Sequence, residues 1–62
     1  MDPNANLKEQ RKIASIILEW FDTATEEADF PETEAQRLAE LVQSLDEWIS
    51  KGGFLPDAWV KQ

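Results

Sequence analysis

The sequence predicts an all-α fold: an antiparallel helical hairpin with a folded-back C-terminal tail, expected to dimerise into a four-helix bundle. Three observations lead there. Apolar residues recur at three- and four-residue spacing in two separate blocks, the pattern of helices with one buried face. A short connector built on Ala28-Asp29-Phe30-Pro31 divides the blocks, and Lys51-Gly52-Gly53 followed by Pro56 ends the second. The chain has 62 residues, enough for one domain (1–62) with a thin core.

The first block contains Leu7, Ile13, Ala14, Ile16, Ile17, Leu18, Trp20, Phe21 and Ala24, and predicts helix 1 over about 4–26. Two start signals compete. Asp2 stands before Pro3, a favoured first helical residue, and Asn6 with Glu9 three positions on has the spacing of a capping box. Proline disfavours the α conformation in its predecessor, so Phe30 is expected to be extended and helix 1 to have ended before it. Helix 2 is predicted over about 31–51, with either Pro31 as its first residue or Thr33 as N-cap and Gln36 completing a box. Its apolar residues Ala35, Leu38, Val42, Leu45 and Ile49 alternate at spacings of three and four, flanked by Leu41 and Trp48. At its end a lysine suits the negative pole of the helix, and a glycine is free to take the left-handed cap. The tail, 52–62, then begins beside the start of helix 1. With a tight turn near Asp29, Trp20 is expected level with Leu38, Ile17 with Leu41 and Val42, and Ile13 with Leu45.

Helix 1 is more apolar than one neighbour can cover. Its apolar positions sweep an arc of about 200°, against a little over 100° for a helix packed on one side. Phe54, Leu55 and Trp59 of the tail are candidates to anchor against the Leu7, Ala14 and Leu18 edge. The Ile16 and Trp20 edge, with Ile13 and Ile17 beside it, is the candidate self-association surface. A second copy is the expected cover, since each buried Ile or Leu contributes about 1.5–3 kcal/mol. Two other readings stay open: the chain seals the whole arc itself, or a different protein covers it.

Thirteen Asp and Glu stand against six Lys and Arg, a formal net charge of −7 at pH 7. That balance argues against direct nucleic-acid binding, which relies on Lys and Arg displacing counterions. The acids crowd the hairpin tip. Asp29, Glu32 and Glu34 have a local cause, because acids are stabilised where a helix begins. Asp22, Glu26 and Glu27 do not, since they fall where helix 1 ends and Asp22 repels Glu26. Asp22, Glu26, Glu27, Asp29 and Glu32 are therefore the candidate acidic recognition face, for which the plain alternative is a solvated, solubilising tip. Lys8, Arg11 and Lys12 cluster at the other end of helix 1. An antiparallel pairing of helix 1 with its copy would set each basic cluster beside the other chain's acidic tip.

Catalysis is not expected. The sequence has no His and no Cys or Tyr, so Ser15, Ser44 and Ser50 lack the usual base. The same absences remove disulfides and zinc sites, and no cofactor is expected. Read as a calcium loop from Asp22, the chain has Glu27 where glycine is required and Thr33 where glutamate is required, so no metal site is assigned. Gly52-Gly53 has no phosphate-loop spacing around it. Trp20 and Trp48 read as core or interface anchors. Trp59 either pins the tail or serves another protein as an anchor. No apolar run approaches the ~20 residues of a membrane span, and Met1-Asp2-Pro3-Asn4 lacks the features of a signal peptide, so a cytoplasmic location is expected.

The run Arg37-Leu38-Ala39-Glu40-Leu41-Val42-Gln43-Ser44-Leu45-Asp46-Glu47-Trp48-Ile49, with Lys51-Gly52-Gly53-Phe54-Leu55-Pro56-Asp57-Ala58-Trp59 after it, resembles short acidic helical proteins of actinobacteria and their bacteriophages. Asn4-Ala5-Asn6-Leu7-Lys8-Glu9-Gln10 and Ile17-Leu18-Glu19-Trp20-Phe21-Asp22 carry the same resemblance, which so covers most of the chain. It implies a cytoplasmic accessory protein, acting on host proteins where phage-encoded, and brings no functional residue with it. The expected function is a non-catalytic protein–protein interaction module that self-associates. The competing one is an acidic nucleic-acid mimic that occupies the binding groove of a host protein.

Overall fold

The computed structural model describes residues 1–23 and 28–60. Among them are two α-helices and one turn of 3₁₀ helix, with no strand: α1 (Pro3–Thr23), α2 (Glu32–Ser50) and η1 (Asp57–Trp59). Of the two start signals for α1, Asp2 prevails. Its Oδ1 accepts from the amides of Asn4 at 2.9 Å and Ala5 at 3.3 Å, and Pro3 follows with no N–H to satisfy. Helix α2 begins at Glu32, one residue after the first alternative and before the second. Pro31 holds the cap position without a side-chain hydrogen bond. Glu32 and Glu34 lie in its first turn, where the helix dipole stabilises them.

The C-terminus of α2 is a Schellman cap. The Gly53 amide donates to the Trp48 carbonyl at 2.9 Å and the Gly52 amide to that of Ile49 at 3.0 Å. Gly52 takes the left-handed conformation that this cap needs, with φ +92°. Trp48 supplies the apolar half of the motif. Its ring meets Phe54 edge-on, centroids 5.5 Å apart, and its Nε1–H donates to the Phe54 carbonyl at 3.0 Å.

The two helices pack antiparallel, and polar contacts fix their alignment. The Asn6 side-chain amide donates to the Leu41 carbonyl at 3.0 Å, and Arg37 clasps the Glu9 carboxylate at 2.8 and 3.1 Å. This corrects the register expected from apolar matching. Leu41 lies against Asn6 instead of Ile17, eleven positions or about three turns along α1. The hairpin is thus staggered, and Phe30 doubles back against Trp20, ring centroids 5.2 Å apart, before α2 begins.

Stagger makes the molecule long and thin. It measures 44 × 24 × 14 Å with a radius of gyration of 14.0 Å, where a compact chain of this length would have about 10–11 Å. The short dimension is little more than one helix diameter. Among the described residues the apolar core consists of Leu7, Ile13, Leu41 and Leu45, closed at one end by Pro3 and Pro56, whose side chains are fully removed from solvent. The tail folds back as expected: the Asp57 amide donates to Asn4 Oδ1 at 2.6 Å.

Candidate functional site

The stagger decides which part of α1 has a neighbour. Over its first three turns Pro3, Asn6, Leu7 and Ile13 face α2 and the tail, and all are buried. Beyond Ile13 the helix runs past the start of α2. Of the expected self-association surface, Ile13 is spent inside the chain at 6% exposure, Ile17 and Trp20 are half-buried, and Ile16 is exposed. The opposite edge is barer. Leu18 is 65% exposed and Phe21 64%, whereas Leu7 on the same edge is buried.

An aromatic cluster finishes this end of the hairpin. The Trp20 ring meets Phe21 edge-on at 4.9 Å and Phe30 edge-on at 5.2 Å. The Trp20 indole N–H is buried without a hydrogen-bond acceptor among the described residues. Phe21 and Phe30 nevertheless remain exposed, so the cluster leaves apolar surface open to solvent.

Asp22, Asp29 and Glu32 of the acidic face are exposed, and none takes part in a salt bridge among the described residues. Glu26 and Glu27, the other two residues of that face, lie outside the described residues, as does the expected end of α1 beyond Thr23. Cations are paired elsewhere, Arg37 with Glu9 and Lys51 with Glu47. The Arg37 hydrogen bonds hold the Glu9 carboxyl below the ordinary glutamate range, with the charges of Arg37 and Lys12 adding to the effect against a partial opposition from burial. Ser15 spends its hydroxyl on the Arg11 carbonyl at 3.0 Å within its own helix. Among the described residues no group of three or more acids is gathered to hold a metal ion, and no helix is long and apolar enough to cross a membrane.

The tail is held differently from expectation. Phe54, Leu55 and Trp59 are all exposed, Phe54 at 60%, and the buried residue is Pro56. Phe54 anchors through its ring and carbonyl on Trp48, and Trp59 stands at the rim of a groove lined by Gln10, Val42, Leu45 and Ile49. A proline is well suited to the buried place, since it has no N–H to leave unpaired. Asn4, Asn6 and Arg37 also do more than periodicity assigns them. Asn6 and Glu9 have the spacing of a capping box, yet both reach across to α2, and only the shared face of positions three apart hints at it. The chain matches no protein-family model, no curated protein and no solved structure.

Proposed function

We propose that this chain is a non-catalytic protein-interaction module that works as a homodimer, two hairpins pairing into a four-helix bundle in the cytoplasm. The observation that carries this reading is the bare distal half of α1: Leu18 and Phe21 stand in solvent on a molecule only 14 Å thick. A single layer of two helices has no second layer to bury such side chains, and domains ordinarily close their core between two. Exposed large apolar residues grouped on one face favour association. The surface is therefore assigned to the Leu18 and Phe21 edge in preference to the Ile16 and Trp20 edge. Light scattering across a concentration series tests the reading. A mass near twice 7.1 kDa supports it, and a monomer at every concentration overturns it.

The acidic end supports a second reading, a nucleic-acid mimic acting on a basic host protein as an accessory factor. Asp22, Asp29 and Glu32 are exposed and unpaired among the described residues, on a chain of net charge −7. Binding to basic proteins that collapses with added salt favours this role. Salt-insensitive binding lost on replacing Trp59 favours an apolar contact instead.

A further inference from the structure

Leu7, Arg11, Ala14, Leu18 and Phe21 follow one another at spacings of four, three, four and three, the seam of a heptad pattern. Leu7 is buried within the chain. The tail comes down beside it, on Asn4 before it in sequence and along the groove that includes Gln10 after it. Further along, Arg11, Leu18 and Phe21 are exposed and Ala14 is half-buried, so the seam continues without a neighbour.

Charge says what the neighbour is. Arg11 and Asp22 lie eleven residues apart, about three turns, and so project from the same side of α1 roughly 16 Å apart. Lys12 and Glu19 repeat the arrangement on the outer flank, seven residues apart. Arg11, Lys12, Glu19 and Asp22 are exposed and none is in a salt bridge among the described residues. If two copies met in parallel, Arg11 would face Arg11 and Asp22 would face Asp22. Antiparallel, each Arg11 meets the other copy's Asp22 and each Lys12 approaches its Glu19. The small Ala14 and the apolar Leu18 then fall at the centre, where a short side chain lets two helices approach closely.

We propose that a second copy of this chain packs on this seam antiparallel, α1 against α1, about a twofold axis between Ala14 and Leu18, with Arg11–Asp22 pairs at both ends. The proposal rests on the self-association reading above and adds to it the surface and the orientation.

The test is the dimer dissociation constant, measured by sedimentation equilibrium at low salt, for wild type, Arg11→Asp, Asp22→Arg, the combined swap, and Leu18→Asp. Each replaced position is exposed, and far-UV circular dichroism verifies that helicity is kept. Each single reversal is expected to weaken the dimer about tenfold or more, and the combined swap to restore it to within about threefold of wild type. Leu18→Asp is expected to abolish it. A dimer lost with Leu18→Asp but indifferent to both charge reversals overturns the antiparallel orientation. A dimer that survives Leu18→Asp overturns the seam while leaving self-association standing. A wild-type monomer overturns both.

Discussion

The Asn6 side chain spans the hairpin, donating to the main-chain carbonyl of Leu41 at 3.0 Å while its own oxygen accepts from Gln10 at 2.6 Å. Asn6 is the one buried polar side chain among the described residues, and it lies inside the core beside Leu7. A slide of α2 along α1 by one turn keeps apolar faces roughly in contact but strands this amide, and an unpaired buried amide costs about 1–3 kcal/mol. Asn6 therefore selects one alignment among several that the apolar side chains tolerate, as single buried polar residues do in coiled coils.

Asn6→Ala is expected to destabilise the chain by about 1–2 kcal/mol, and Gln10→Ala by less, because Gln10 supports Asn6 without crossing to α2. Urea unfolding of the two single variants and the double variant measures the coupling. An interaction energy above about 0.5 kcal/mol is expected, and additive effects would show that the two amides act independently.

This contact also explains what could be read from the sequence. Both helices, the start of α1 and the end of α2 were legible, because three-four periodicity, Asp2-Pro3 and Gly52-Gly53 are local signals obeyed by local physics. The register was not. Matching apolar residues treats the turn as tight and the helices as flush, whereas Phe30 folds back on Trp20 first, and the residues that fix the alignment, Asn6 and Arg37, are polar. The candidate site was half legible for the same reason. An arc of about 200° on helix 1 shows that one neighbouring helix leaves apolar surface uncovered. Which edge stays bare depends on the stagger, and so Ile13 is buried while Leu18 is not.

The two adjacent glycines are needed for different reasons, and substitution separates them. Gly52 has φ +92° with open space around the position of a Cβ, so Gly52→Ala is a backbone penalty of about 1 kcal/mol. At Gly53 a Cβ would overlap the Trp48 indole. Gly53→Ala must push the ring off its hydrogen bond with Phe54, an overpacking cost of about 1–3 kcal/mol. Thermal melts of Gly53→Ala in the Trp48→Leu background distinguish the causes. The penalty is expected to shrink there, whereas the Gly52→Ala penalty persists.

Protonation of Glu9 should be visible in the pH dependence of stability. Arg37 holds its carboxyl below the ordinary value of 4.5 in the folded chain, chiefly by hydrogen bonding. A carboxyl whose folded value is depressed stabilises the fold fully above the unfolded value and loses that contribution as pH falls through the folded one. The difference in melting temperature between wild type and Glu9→Gln is thus expected to be constant above about pH 6 and to shrink progressively below about pH 4.5. Both side chains are substantially exposed, 51% for Arg37 and 40% for Glu9, so the difference is small and 0.5 M salt reduces it further. A difference that grows on acidification would contradict the pairing.

The tail contact offers a control for the proposed dimer seam, because the two share helix α1 but use separate stretches of it. Asn4 Oδ1 accepts from the Asp57 amide at 2.6 Å, next to the fully buried Pro56, so Asn4→Ala should release the tail at a cost of about 1 kcal/mol. Trp59, at the rim of the groove beside Gln10, becomes freer, and intrinsic fluorescence is expected to shift to longer wavelength. Residues Ala14 to Asp22 are untouched by this change, so the dimer dissociation constant should stay within about threefold of wild type. A dimer that dissociates on Asn4→Ala would mean that the tail itself forms part of the contact between copies.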